Sequence, residues 1–216
     1  MKKYLAEYMG TFALVFWGTG SIIVNEYTDG AVGLVGIALA FGLIIVGMIY
    51  TFGPISGTHI NPAVTISLMA TKKIAFTEGL FYMIAQVIGA ISASFALHLM
   101  FVDNLSLGAT MPSGSLLQSF AMEFIATFFL MLIILGVTSQ KKEVNAFSGL
   151  VIGLTVTGLI FVAGPISGGS FNPARSIGPA LVSGDFSSLW IYLIAPTFGA
   201  VLAAFSWELF GEKKTA

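Results

Sequence analysis

The chain has 216 residues, 56% of them hydrophobic and 9% charged, with a formal net charge of −1 and a mean hydropathy of +0.95. Soluble domains carry roughly 25% charged residues, so this composition excludes a water-facing globular surface and predicts an integral membrane protein. The absence of cysteine removes disulfides and thiolate chemistry, and two histidines far apart in sequence make no metal cluster.

A hydrocarbon core of about 30 Å takes about 20 apolar residues per helix. Six segments reach that length: 4–24, 32–52, 78–101, 116–138, 145–163 and 188–210. The first follows the basic flank of a signal peptide, but its apolar run is too long for an h-region and contains Glu7. It is read as a retained span. The second span runs into GPISGTHINPAVTI at Gly53, and the fifth runs into GPISGGSFNPARSI at Gly164. Polar connectors (NEYTDG, VDNLSLGATMPSG, SQKKEV and VSGDFSS) separate the rest. Small residues recur at four-residue spacing, as Ala85/Gly89/Ala93, Gly149/Gly153 and Gly199/Ala203, which lets helix backbones approach closely in lipid.

The eight lysines fall in four places: Lys2/Lys3, Lys72/Lys73, Lys141/Lys142 and Lys213/Lys214. With six spans and both termini cytoplasmic, all four places lie on the cytoplasmic side, and the outer connectors hold no lysine. The expected location is a plasma membrane, the inner membrane in a bacterium. Arg175 sits inside the second motif.

The two motifs share nine identities in fourteen positions, and AEYMGTF at Ala6 echoes MEFIATF at Met122, matching Glu7 with Glu123. The expected organisation is one domain over 1–216, built from repeats at about 4–101 and 116–210. Each repeat has three spans plus a broken segment, so the second copy enters the membrane inverted. Inverted repeats with Gly/Pro-interrupted segments point to a transport site near the midplane. After each break a run of about ten residues, 61–70 and 172–181, covers about 15 Å, half the core. Asn favours the N-cap and Pro the first helical turn, so Asn-Pro-Ala reads as a helix start. The expected fold is an all-α membrane protein with six transmembrane helices and two re-entrant half-helices. The positive ends of the half-helices converge on the pore centre, preceded by extended GPISG segments that line it.

Glu7 and Glu123 are intramembrane carboxylates, expected to accept bonds from unpaired N–H groups of the GPISG loops as a scaffold. Proton coupling is the competing role. His59 is expected to anchor the first loop near the cytoplasmic mouth, with a pH gate as the alternative. His98 is expected to be a packing residue, and the lysine pairs solvated flanks.

The paired Asn61-Pro62-Ala63 and Asn172-Pro173-Ala174 motifs, with Arg175 following the second, resemble the signature of the aquaporin, or major intrinsic protein, family. The resemblance extends over nearly the whole chain. Within the family, NPARSIGPALV and LWIYLIAP look most like the nodulin-like branch and its bacterial relatives. That branch is associated with glycerol and with uncharged hydroxides such as boric acid, silicic acid and arsenite. The resemblance implies a homotetramer and a passive channel for water and small neutral solutes that excludes protons and ions. It also implies that Asn61 and Asn172 donate to the permeant and that Arg175 guards an outer constriction. Counting from the asparagines as the family does, Phe41, Ile160 and Gly169 complete that constriction. Strict water channels of the family usually carry histidine at the Ile160 position. Typical glycerol channels carry tryptophan at Phe41, an aromatic at Gly169 and aspartate where this chain has Ser176. The chain departs from both patterns, toward a wider opening with one apolar side. A strict water channel is the first alternative, and a proton-coupled transporter of a small neutral solute is the second. No Ser/His/Asp set, carboxylate pair or metal cluster converges on the motifs, so no enzymatic activity, cofactor, metal or nucleic-acid partner is expected.

Overall fold

The computed structural model describes residues 1–141 and 145–210. Lys142, Lys213 and Lys214, part of the topology argument, lie outside the described residues. Among the described residues eight helices follow in chain order: α1 Lys2–Tyr27, α2 Gly33–Ser56, α3 Pro62–Ala70, α4 Phe76–Met100, α5 Leu116–Thr138, α6 Ser148–Ser167, α7 Pro173–Ser183 and α8 Leu189–Phe210. Five of them, α2, α4, α5, α6 and α8, are long and apolar enough to cross a membrane. The sixth long helix, α1, has 26 residues, diluted by polar and small residues that are turned inward. Glu7, Gly10, Thr11, Gly18, Thr19 and Gly20 are all buried, while Leu5, Met9 and Trp17 are exposed. This is the polarity expected of a chain whose solvent is lipid.

The packing repeats. In the first half α1 packs on α4 and on α2; in the second α5 packs on α8 and on α6. The short α3 touches α4 of its own half and α8 of the other, and α7 touches α8 and α4. Two contacts close the structure through its middle, α2 against α6 and α3 against α7. Glycines set the closest approaches. A Cβ on Gly42 would fall 2.6 Å from the Gly153 carbonyl oxygen, and one on Gly153 would fall 2.5 Å from the Gly42 oxygen. Gly89 lies against the Tyr8 carbonyl and Gly199 against the Phe124 carbonyl in the same way. Gly89, Gly153 and Gly199 were singled out by their spacing.

The GPISG segments are not extended. Gly53–Ser56 forms the last turn of α2, and Gly164–Ser167 forms the last turn of α6. Pro54 and Pro165 forfeit one helical bond each, to the carbonyls of Tyr50 and Phe161, and the turn survives because a left-handed glycine closes it. Gly57 (φ 82°) donates to Gly53 and Gly168 (φ 81°) donates to Gly164. Only residues 57–61 and 168–172 leave the helix. They carry matched left-handed residues: Gly57, Thr58 and Ile60 in one loop, Gly168, Gly169 and Phe171 in the other.

The lysine flanks are likewise not wholly solvated, since Lys3 pairs with Glu78 at the start of α4. That pair places the N-terminus beside the Lys72/Lys73 connector. Being partly exposed, it adds little to stability.

Replacing Gly153 by Ala should destabilise the protein by about 1–3 kcal/mol, because a backbone oxygen cannot rotate away from the added methyl. Gly158→Ala, whose Cβ meets nothing within 4 Å, should be neutral or stabilising by up to about 1 kcal/mol through helix propensity. Thermal unfolding of the two variants in detergent checks both values.

Candidate functional site: a pore between two half-helices

Each half-helix begins at its asparagine. Asn61 Oδ1 accepts from Ala63 N (2.9 Å), and Asn172 Oδ1 accepts from Ala174 N (3.0 Å), with proline following each cap. The side-chain amides then cross the molecule. Asn61 Nδ2 donates to the Phe171 carbonyl at 2.8 Å, and Asn172 Nδ2 donates to the Ile60 carbonyl at 2.8 Å. One N–H of each amide is therefore committed to holding the loops together, and one is left for the lumen.

Behind the loops lie the two carboxylates, both fully buried. Glu7 Oε1 accepts from Ser56 Oγ (2.6 Å) and His59 N (2.9 Å), and its Oε2 accepts from Ile60 N (2.7 Å) and Gln86 Nε2 (2.7 Å). Glu123 Oε1 accepts from Ser167 Oγ (2.7 Å) and Ser170 N (2.9 Å), and its Oε2 accepts from Phe171 N (2.7 Å). The backbone donors lie just beyond GPISG rather than within it, because Gly57 and Gly168 spend their N–H groups on closing the helices. Tyr82 and Tyr192 add matching bonds, from their hydroxyls to the Ser56 and Ser167 carbonyls. Facing away from the carboxylates, the carbonyls of residues 57–59 and 168–170 accept no hydrogen bond from any described residue. The lining expected of the whole GPISG segments thus falls to their last glycines and the two residues after each.

A continuous cavity of about 760 Å³ runs past these loops. Phe41, Ile160, Gly169, Arg175, Asn61, Asn172 and His59 all line it. Pro62, Ala63, Pro173 and Ala174 are buried in the first turns of the half-helices. At one end of the cavity its wall is formed by Phe41, Ile160 and Arg175, all of them buried. A Cβ on Gly169 would lie 3.5 Å from Ile160 Cγ1, which makes those two residues adjoining wall. The Arg175 guanidinium lies over the Phe41 ring, 5.2 Å from its centroid, and its Nη1 donates to the Gly108 carbonyl at 2.8 Å. Its Nε and Nη2 have no partner among the described residues. Toward the other end the lining is Ile45, Ile49, Leu68, Leu130, Ile134 and Ile152, opening near Thr138, Asn145 and Ala146.

His59 is half-buried, with Nδ1 3.2 Å from Thr65 Oγ1 and its ring edge-on to Tyr82 at 5.1 Å. His98 lies half-buried in the last turn of α4. Sequence reasoning passed over Gln86, which donates to both Glu7 and Thr65. A lone amide in an apolar span was the available signal. It also passed over the Gly108 carbonyl, for which a sequence offers no signal, since any residue has a carbonyl.

Fold and site together define a transmembrane channel. The chain belongs to the major intrinsic protein family, whose model matches residues 1–207. Similar proteins include Nodulin-26 of Glycine max, 42% identical over 97% of this chain and 78% of its own length. Aquaporin NIP2-1 of Arabidopsis thaliana is 46% identical over 94% of this chain and 73% of its own. Among solved structures, the aquaglyceroporin from Plasmodium falciparum superposes with a TM-score of 0.85 at 28% identity, covering 96% of this chain and 95% of that one. Family membership carries the expected function, a channel for water and small solutes, and the nodulin-like branch is supported. Both relatives are plant proteins; they support an integral membrane protein without favouring a bacterial inner membrane.

Exchanging Glu123 for Gln should cost about 1.5–3 kcal/mol, the worth of a hydrogen bond to a charged group, because an amide must then face a loop N–H with a donor of its own. Thermal unfolding in detergent reads the loss.

Proposed function

We propose that this channel passes water together with small uncharged polyhydroxyl solutes such as glycerol, and excludes protons and ions. Boric acid, silicic acid and arsenite are further candidates of the same chemistry. The observation that carries the reading is the makeup of the cavity end walled by Arg175, Phe41, Ile160 and Gly169, which this reading makes the narrow end. Arg175 has two donors without acceptors among the described residues, Gly169 contributes no side chain, and Ile160 and Phe41 supply apolar wall. A solute that hydrogen-bonds on one face and slides on hydrocarbon with the other fits those walls. A histidine at position 160 would instead add a polar group to the wall and favour water alone.

Ion exclusion rests on the centre. The N-termini of α3 and α7 meet there, and each carries the positive end of a helix dipole. A water between them gives its lone pairs to the free N–H groups of Asn61 and Asn172, so its hydrogens point outward and a proton wire is interrupted. This is the general logic of aquaporin-type pores. Glu7 and Glu123 act as scaffold, since every bond they accept comes from the loops or from helices behind them. His59 steadies the first loop through Thr65. Both termini are read to the cytoplasmic, lysine-bearing side, which for the N-terminus is supported by the Lys3–Glu78 pair. The chain is one domain of two inverted repeats, supported by the matched bonds of the two halves, and it assembles as a homotetramer, as its family implies.

A stopped-flow panel of water, glycerol, urea, boric acid and arsenite on one liposome preparation tests the proposal. Glycerol flux should be measurable and independent of a proton gradient; coupling to such a gradient would sink the channel reading. Ile160→His and Gly169→Phe should each suppress glycerol roughly tenfold more than water, the equivalent of about 1.4 kcal/mol of added barrier. Equal loss of both fluxes would remove these residues from the filter.

A further inference from the structure

The outer connector between α4 and α5 reaches into the filter through a backbone atom. Gly108, whose carbonyl accepts from Arg175 Nη1, is left-handed (φ 64°) and wedged against α1, where a Cβ would lie 2.8 Å from the Thr19 carbonyl oxygen. The residue before it, Leu107, is also left-handed (φ 49°), a conformation that a bulky side chain adopts only when its surroundings over-determine it. Two sets of contacts do so. The Leu107 side chain is buried with Ile23 and Leu97. Its backbone N–H donates to Asn104 Oδ1 at 2.7 Å.

Asn104 is in turn fixed from outside. Its Nδ2 donates to Glu26 Oε2 at 2.6 Å, in the last turn of α1, and Ser106 Oγ donates at 3.2 Å to the Asn104 Oδ1 that holds Leu107. Asn104 is buried whereas Glu26 is exposed on the outer rim. A line of hydrogen bonds and one strained turn thus connects a rim carboxylate to the arginine of the narrow end. Two residues on, Thr110 Oγ1 and Ser176 Oγ are 2.7 Å apart, so the same connector also holds the residue after Arg175.

We propose that Glu26 and Asn104 form a clamp that positions the filter arginine by holding the Gly108 carbonyl in place, making them positioning residues for solute selectivity. The inference rests on Arg175 acting as the filter. No side chain of the narrow end replaces that acceptor, since Phe41 and Ile160 are apolar and Gly169 has none; the unbonded acceptors left beside the guanidinium are loop carbonyls of residues 168–170, which face the lumen. With the clamp broken, the guanidinium turns to the water of the lumen and narrows it, and the larger solute suffers first.

The test measures water and glycerol permeability in liposomes for the wild type and four variants. Glu26→Ala removes the acceptor at an exposed site. Asn104→Asp sets two carboxylates against each other. The double variant Glu26→Gln with Asn104→Asp exchanges donor and acceptor, and restores the bond. Arg175→Ala is the control for the filter itself. Glu26→Ala and Asn104→Asp should each lower the glycerol-to-water ratio about fivefold, the factor corresponding to one ordinary hydrogen bond. The double variant should recover the wild-type ratio, and Arg175→Ala should raise it. A wild-type ratio in Glu26→Ala alongside a changed ratio in Arg175→Ala overturns the clamp and leaves the filter standing. An unchanged ratio in Arg175→Ala overturns the filter reading on which the clamp depends. Failure of the double variant to recover what Asn104→Asp lost also counts against the clamp, because a merely structural defect would not be reversed by exchanging the partners. Should Asn104→Asp not reconstitute, Glu26→Ala decides alone.

Discussion

Two five-residue loops leave their helices at the depth where the membrane has no water to offer, and the bonds from their N–H groups to Glu7 and Glu123 make that possible. An unsatisfied N–H in an apolar setting costs several kcal/mol, and each carboxylate accepts two loop N–H groups together with a serine hydroxyl. With their donors turned toward the glutamates, the loops present carbonyls to the other side. The polar face of the pore is therefore a by-product of how the loops are held. The left-handed angles at Thr58, Ile60 and Phe171 are the strain that this orientation requires.

The symmetry of the scaffold makes its breaches informative. Gln86, a fourth donor to Glu7, has Pro196 as its counterpart in α8, and Glu123 accordingly accepts one bond fewer. His59 corresponds to Ser170, and Thr65 to Ser176. In the first half these positions form a His–Thr–Gln cluster. In the second they form a Ser–Ser–Thr chain that reaches the outer connector. The two loops share one backbone design, but only the second is tied to the outer connector, and it is beside the second that Arg175 stands.

Much of this was legible in the sequence because membrane burial restricts what polar residues can be doing. Paired Asn-Pro-Ala could be read as facing helix starts, and two glutamates in apolar spans as partners for stranded backbone. Counting from the asparagines placed Phe41, Ile160 and Gly169, and all three line the cavity with Arg175. The motif GPISG was misread because proline and glycine were taken as a break, whereas a proline one turn before a left-handed glycine costs a single bond and the helix continues to its cap. The second N–H of each asparagine was also invisible. Whether an amide is free or committed depends on a carbonyl more than a hundred residues away. The Gly108 contact was beyond reach for the same reason.

The reciprocal bonds at the centre join Asn61 to a carbonyl 110 residues later, and Asn172 to one 112 residues earlier. Neither loop can complete its own hydrogen bonding from its own half. During synthesis the first half is in place while its partner is still unmade, and until residue 171 arrives the Asn61 amide has no such acceptor. Closure over that separation in sequence is slow compared with forming any single helix. The step that makes the chain a channel therefore waits on its second half, and a chain halted after its first three spans holds one side of a lock without the other.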